Sequence, residues 1–416
     1  MHLCGKIVFI MYICIYFKKT TILSLMEAIV FSVLELTLLS FLGILWLIQL
    51  IYYFALYNRI HKRRVAIKKR KVRFTPELYP LSVIIYTRDD CERLRKFLPM
   101  ILEQDYPEFE VIVINDSLEN GSEELLSLMQ KQYPHLHYTF IPTSARYVSR
   151  KKLALTLGAK ASNYEWLVFT EANCYPASNK WLRLMARNFT VDTQIVLGYS
   201  NFQYKNDWSH KYKTFELLFM SLRYLGFALA NKPYMGIGRN MAYRKELFFK
   251  QKGFSSHLSL NGGDDDLFIN QIANKSNTRV EVDSDATMRI QPIANFDSSW
   301  KEEKMTYVVT AKYLRGFQRG LLRFETFSRL LFHICFTGSI IFFALNHYWH
   351  ASGVAVLLWL IRYGVQAFVI NKTSVELGDK RQYYFTLPIF DILLPLQTAA
   401  FNMYCLYWGK SYFMRK

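Results

Sequence analysis

Three consecutive carboxylates stand behind paired glycines in Gly262-Gly263-Asp264-Asp265-Asp266-Leu267-Phe268, and a glycine-spaced segment, Met235-Gly236-Ile237-Gly238-Arg239-Asn240, precedes them. Adjacent carboxylates cannot all be buried and ionised without partners. They belong on a loop that opens into a cleft or on a solvated surface. The earlier loop offers backbone donors and a fixed cation, so the two together suit a polar, anionic substrate. The same residues also read as an acidic turn capping a helix from Leu267, because Asp favours helix N-termini. Spacing alone leaves the two readings even.

The elements that must position these loops begin at Leu81. Short β-branched or aromatic runs at Leu81–Tyr86, Phe109–Ile114, His137–Ile141 and Trp166–Thr170 are separated by Cys91–Gln104, Ser122–Gln132 and Lys151–Ala161, which carry helical periodicity. Alternation of this kind predicts an α/β domain with a mostly parallel central sheet. Ligands of such sheets sit at the carboxyl ends of the strands. That rule singles out Thr87–Asp90, Asn115–Ser117 and Glu171–Cys174, where polar or acidic residues follow an apolar strand.

Composition places this domain in a membrane protein. The 416 residues are 51% hydrophobic and 16% aromatic, too apolar for an ordinary soluble enzyme. Ala28–Leu56 exceeds the ~20 residues that cross a bilayer core, giving a transmembrane anchor over 26–57. The run Ile7–Phe17 reads equally as a signal-like segment, a partial span or sequence upstream of the true start, so residues 1–25 are assigned no element. The formal charge of +19 does not imply nucleic acid: its densest cluster, Arg59–Arg73, follows the span, and no nucleic-acid module is present. Residues 58–80 read as a basic cytoplasmic linker that touches anionic lipid. The six cysteines show neither CxxC pairing nor zinc spacing. Beyond the domain, Lys312, Arg315, Arg319 and Arg323 recur at helical spacing among apolar residues, which predicts an interfacial amphipathic helix within 300–329. Residues 330–416 should hold two to three spans, near Leu330–Ala344, Gly353–Ile370 and Tyr383–Trp408. The last is interrupted by Pro388, Asp391 and Pro395, and reads as an interfacial piece plus a span or as a re-entrant hairpin.

Six motifs in order resemble the membrane-bound, inverting family 2 glycosyltransferases of bacterial type with the GT-A fold. Val83-Ile84-Ile85-Tyr86-Thr87-Arg88-Asp89-Asp90 is similar to the first-strand motif, and Val113-Ile114-Asn115-Asp116-Ser117 to the acidic second-strand motif. Arg150-Lys151-Lys152-Leu153-Ala154-Leu155 resembles the helix start beside the nucleotide. Glu171-Ala172-Asn173-Cys174-Tyr175-Pro176 falls where the family carries Asp-x-Asp before Cys-x-Pro. Gly238-Arg239-Asn240 resembles the acceptor-side loop, and Gly263-Asp264-Asp265-Asp266-Leu267 lies where the catalytic base is supplied. The resemblance covers roughly Leu81–Leu267 and assigns 81–299 to a GT-A-like, nucleotide-sugar-binding domain flanked by transmembrane helices.

The resemblance implies transfer of a sugar from a nucleotide-diphosphate sugar to a lipid-linked or membrane-proximal glycan acceptor, with no nucleic-acid partner. Asp264 is then the base, with Asp265 the neighbour that competes for the assignment. Thr87, Asp89, Asp116, Lys151, Arg239 and Asn240 should face the nucleotide donor. Glu171 and Asn173 should hold a divalent metal, Mg²⁺ or Mn²⁺, through hard oxygen atoms. Two departures matter. Asp-x-Asp has become Glu171-Ala172-Asn173, which loses one negative charge and weakens metal affinity. The Gln-x-x-Arg-Trp of polymer-making relatives is reduced to Gln318-Arg319-Gly320-Leu321-Leu322, which argues against processive synthesis. A catalytically degenerate binding protein is the rival reading, favoured by the altered metal motif. A transporter built on Glu35, Arg362 and Asp391 is weaker, because the spans are few.

Overall fold

The computed structural model describes residues 31–88, 90–116, 121–142, 149–292 and 296–407, so the expectations for residues 1–25 and for Asp89 lie outside the described residues. The chain falls into two compact units: residues up to Leu50 with Ser328–Gly364, and Ile51–Phe327 with Val365–Lys416.

The larger unit is built on a seven-stranded sheet. In chain order its strands are β1 (Leu81–Thr87), β2 (Phe109–Asn115), β3 (Leu136–Phe140), β4 (Trp166–Glu171), β6 (Ile195–Leu197), β8 (Met241–Arg244) and β9 (Thr278–Val280), in the spatial order β3-β2-β1-β4-β8-β6-β9. β1, β2, β3 and β4 pair in parallel, whereas β8 runs antiparallel to both β4 and β6. A second sheet of three strands joins β5 (Cys174–Pro176), β10 (Met288–Ile290) and β7 (Ser200–Phe202). The central strands are continuous apolar runs because helices cover both faces of such sheets; Val83, Ile84, Val111, Val113 and Val168 are fully buried.

Register brings the strand ends level. Thr87 pairs with Asn115, and Tyr86 with Glu171, so the chain leaves β1, β2 and β4 at one edge of the sheet. The helix that follows β3, Arg150–Ala161, crosses these strands at Gly158. A Cβ there would lie 2.7 Å from an Ile84 methyl and 2.8 Å from Ile114, so only glycine allows the close approach that aims the start of this helix at the strand ends.

Four helices are long and apolar enough to cross a membrane: one within Val33–Lys68, then Gln318–Leu345, Trp349–Glu376 and Leu387–Tyr407. In the smaller unit Leu42, Leu45, Phe332, Phe343, Ala351 and Ala355 form a buried apolar cluster, Gln49 donates to Ser328 at 2.8 Å, and Glu35 pairs with His350 at 2.9 Å. Leu36, Phe41, Ile44 and Leu47 remain exposed, as helices surrounded by lipid allow.

Two expectations change. The segment 300–329 is not one amphipathic helix. Phe296–Thr310 is a separate helix, and Gln318–Leu345 runs from Arg319 and Arg323 into apolar sequence. Lys312 and Arg315 lie in the turn between them, where Gly316 adopts φ 101° and Asn270 bonds both the N–H and the carbonyl of Arg315. The last apolar segment is a single helix, Leu387–Tyr407. Pro388 falls in its first turn, where the missing N–H has no helical partner to lose, and Asp391 accepts from Gln366 at 2.7 Å.

Asn240 also belongs to the framework. Its side chain is buried; Nδ2 donates to the carbonyls of Tyr199 (2.7 Å) and Ala286 (2.8 Å), and Oδ1 accepts from the Trp181 indole (3.0 Å). In the free protein this side chain ties three segments together, with three of its four bonding positions in use. Asn240→Leu orphans the Ala286 carbonyl and the Trp181 indole N–H, leaves the Tyr199 carbonyl only its Met288 N–H donor, and should cost about 3 kcal/mol of stability. Unfolding of the full-length protein in detergent reads this. Unchanged stability with lost donor affinity would return Asn240 to the donor site.

Candidate active site

The helix over Arg150–Ala161 starts with three cations, and each reaches a different segment. Arg150 Nε donates to Asp116 Oδ1 at 2.5 Å, just beyond the end of β2, where Tyr86 from β1 also donates to Asp116 Oδ2 at 2.9 Å. Lys151 Nζ lies 2.8 Å from Glu171 Oε1 and 3.0 Å from Asp264 Oδ2. Lys152 is buried, and its ammonium donates to the carbonyls of His257 and Leu260 at 2.6 and 2.8 Å. Ser149 caps this helix, its side chain accepting from the Lys152 N–H.

Arg239 closes the cluster from the glycine-spaced loop. Its Nε donates to Glu171 Oε2 at 2.9 Å, and its two terminal nitrogens bind Glu303 at 2.7 and 2.8 Å. Both oxygens of Glu171 are thus held by cations. Burial alone would raise its pKa, but Lys151 and Arg239 hold it down at about 2. Burial would likewise lower Lys151; Asp264, Glu171 and Asp265 hold its ammonium well above the ordinary lysine range.

The three acidic residues divide their work. Asp265 accepts from the Gly238 N–H (3.0 Å), the Tyr307 hydroxyl (3.0 Å) and the Asp266 N–H (2.7 Å), and it caps the short helix Asp266–Ile272. Asp266 accepts from its own helix at the Leu267 N–H and from the Thr310 hydroxyl. Burial, then the neighbouring carboxylate, pushes both of these carboxyls up. Asp264 is the one that meets the cation. The capping reading from sequence therefore applies to Asp265 and Asp266; against the expectation of an open or solvated loop all three carboxylates are buried, and Asp264 is held by the Lys151 ammonium.

Of the sequence candidates, Lys151, Glu171, Asp264 and Arg239 come together in one ion cluster, with Asp265 beside it. Asp116 pairs with Arg150, the residue next to Lys151 on the same helix. Thr87 stands at the end of β1, its carbonyl accepting the Asp116 N–H at 2.9 Å, and its buried hydroxyl has no hydrogen-bond partner among the described residues. Glu303, Tyr307 and Thr310 were missed. They recur on one face of the helix Phe296–Thr310, four and then three residues apart, and that polar spacing was the available signal.

The metal expectation meets a donor set that does not suit it. Both Glu171 oxygens are engaged by cations, and Asn173 Oδ1 accepts from the Cys174 thiol at 3.3 Å. Among the described residues no group of three or more His, Cys, Asp or Glu is arranged to hold a metal. A hard cation wants about six oxygen ligands, several of them charged. These residues do not fit one resident in the free protein.

Comparison with known proteins agrees with this geometry. Residues 82–250 match the model of glycosyl transferase family 2. The chain is 25% identical over 134 residues to a poly-beta-1,6-N-acetyl-D-glucosamine synthase of Staphylococcus epidermidis; the match covers 32% of this chain and 30% of that protein. In fold it is similar to a mannosyltransferase of Pyrobaculum calidifontis solved with GDP-Man and Mn²⁺, with a TM-score of 0.51 and 15% identity, covering 87% of this chain and 99% of that one. Strand order, level strand ends and the sequence match converge: the chain carries a family 2 glycosyltransferase domain of GT-A-like fold, alongside helices apolar enough to cross a membrane.

Proposed function

We propose that the protein moves a sugar, with inversion, from a nucleotide-diphosphate sugar to a lipid-linked or membrane-proximal glycan acceptor. The observation that carries this reading is the Lys151 ammonium shared between Glu171 and Asp264. One cation ties the strand end of the nucleotide side to the acidic loop of the acceptor side. A leaving pyrophosphate and an acceptor hydroxyl would thus meet within a single charge cluster.

The chemistry follows from these side chains. The acceptor oxygen bonds to the anomeric carbon while the bond from that carbon to the phosphate oxygen breaks, and the electron pair leaves with the nucleoside diphosphate. Asp264 takes the acceptor proton, because Asp265 and Asp266 are committed to backbone and hydroxyl donors. Lys151 and Arg239 stabilise the charge that develops on the pyrophosphate. Asp116 and Thr87, beside one another at the strand ends, suit contacts to the nucleoside. A binding protein without turnover is the second reading, favoured by the engaged Glu171 and neutral Asn173.

Mutation of the base separates the two. Asp264→Asn should leave nucleotide affinity intact while transfer falls by ~10² or more, with some loss of melting temperature because Lys151 keeps only Glu171 as a carboxylate partner. Asp265→Asn should lower the melting temperature by loosening Gly238 and Tyr307 while sparing most of the transfer. Near-wild-type turnover in Asp264→Asn would reject Asp264 as the base.

Orientation follows from charge: the basic run Arg59–Arg73 and the domain after it should face the cytoplasm, where nucleotide sugars are available. In a background lacking native cysteines, Lys69→Cys should react with an impermeant maleimide only after the cells are lysed. Labelling of intact cells would contradict both the orientation and the donor class.

A further inference from the structure

A second charged site lies away from the Lys151 cluster and shares no residue with it. A cavity of about 350 Å³ opens beside the loop that joins the helices Trp349–Glu376 and Leu387–Tyr407, and Arg289, Lys380 and Arg381 line it together with Tyr175, Phe202 and Tyr204. Its single carboxylate is already committed. Asp379 accepts from Arg289 and Tyr199, both at 2.5 Å, and from Asn201 at 2.9 Å. Lys380 and Arg381 have no such counterion: among the described residues neither forms an ion pair with a carboxylate.

Arg381 is the more telling of the two. Its guanidinium is buried, stacks over the Tyr204 ring at 4.8 Å and donates one terminal nitrogen to the Lys205 carbonyl, while its Nε has no hydrogen-bond partner among the described residues. A buried guanidinium with an idle donor is costly unless something anionic meets it. Lys211 adds to the same positive field; burial, then the Arg381 charge, lowers its pKa. Asp379 and the exposed Asp207 attract Arg381 without forming an ion pair with it, and an anion in the cavity would add the contact they do not make.

Chain connectivity says where such an anion would come from. The loop joins two helices that are each long and apolar enough to cross a membrane, which sets it at the level of the lipid headgroups. Aromatic rings beside a pair of cations suit a phosphate that carries an apolar body.

We propose that this cavity binds the phosphate headgroup of an anionic membrane lipid, held by Lys380 and Arg381 against the Tyr204 face. The site stands independently of the sugar-transfer reading, because neither cation belongs to the donor or base cluster.

Native mass spectrometry of the full-length protein in detergent, titrated with phosphatidylglycerol, tests it. The paired variant Lys380→Ala/Arg381→Ala should weaken the first lipid bound at least about tenfold, as loss of two cations near a lipid surface implies. A control that removes two exposed charges of the α/β domain instead, Lys131→Ala/Lys160→Ala, should change it less than about twofold, since charges well beyond a screening length from the lipid contribute little. Nucleotide binding should be unaffected in both. Equal losses in the two paired variants would mean diffuse attraction and overturn the site, as would no loss in either. Displacement of the lipid by inorganic phosphate at matching concentration would assign the cavity to free phosphate and overturn the lipid source. Should the paired variant fail to fold, Lys380→Glu at the exposed Lys380 carries the test, and unchanged lipid retention there would overturn the proposal.

Discussion

The ammonium of Lys151, set between Glu171 and Asp264, is the constraint around which the domain is arranged. Removing it would leave a buried carboxylate facing other carboxylates, and an uncompensated charge of that kind costs several kcal/mol. Three consecutive cations at a helix N-terminus are themselves unfavourable, because the helix dipole places positive charge there. Arg150, Lys151 and Lys152 stand at that terminus because each has a partner on a different segment. Successive helical residues point about 100° apart, so three in a row fan out to Asp116, to Glu171 with Asp264, and to the carbonyls of His257 and Leu260. A single helix start thereby fixes two strand ends, one acidic loop and the segment that leads into it.

Charge conservation gives the altered Glu171-Ala172-Asn173 motif a physical account. Relative to Asp-x-Asp it carries one negative charge fewer, and its remaining carboxylate is clamped by Lys151 and Arg239. Arg239 is in turn fixed by a bidentate pair with Glu303. The strand-end carboxylate therefore works, in the free protein, as an anchor that holds two cations in place. Under the proposed sugar transfer, those cations are what an arriving pyrophosphate would meet. Beside the strand end of this chain the positive charges come from side chains.

Much of this was legible in the sequence because it is local. The apolar runs of β1, β2 and β4 mark themselves, and the residues that follow them are polar because they leave the sheet. The acidic loop and the lysine-rich helix start are equally local. What escaped was long-range. Glu303, Tyr307 and Thr310 reach Arg239, Asp265 and Asp266 from a helix more than thirty residues further along the chain, and nothing in their own neighbourhood says which loop they meet. Asn240 shows the reverse dependence, of a local residue on distant partners. Its place beside Arg239 suggested a ligand contact, yet neighbouring residues at the end of a loop point in different directions, and its amide turned inward to three framework groups. The division of labour among Asp264, Asp265 and Asp266 likewise depended on which carboxylate met Lys151 and which met backbone donors.

The most direct measurement is calorimetric titration of nucleoside diphosphates, UDP and GDP, into the full-length protein and its Lys151→Met variant, each in Mn²⁺ and in chelator. The account predicts saturable binding of at least one of them to the wild type, weakened at least about tenfold in the variant under whichever condition supports it, since a charge-assisted contact to phosphate is lost. Equal affinity in wild type and variant, or no binding of either nucleotide by the wild type in both conditions, would contradict it.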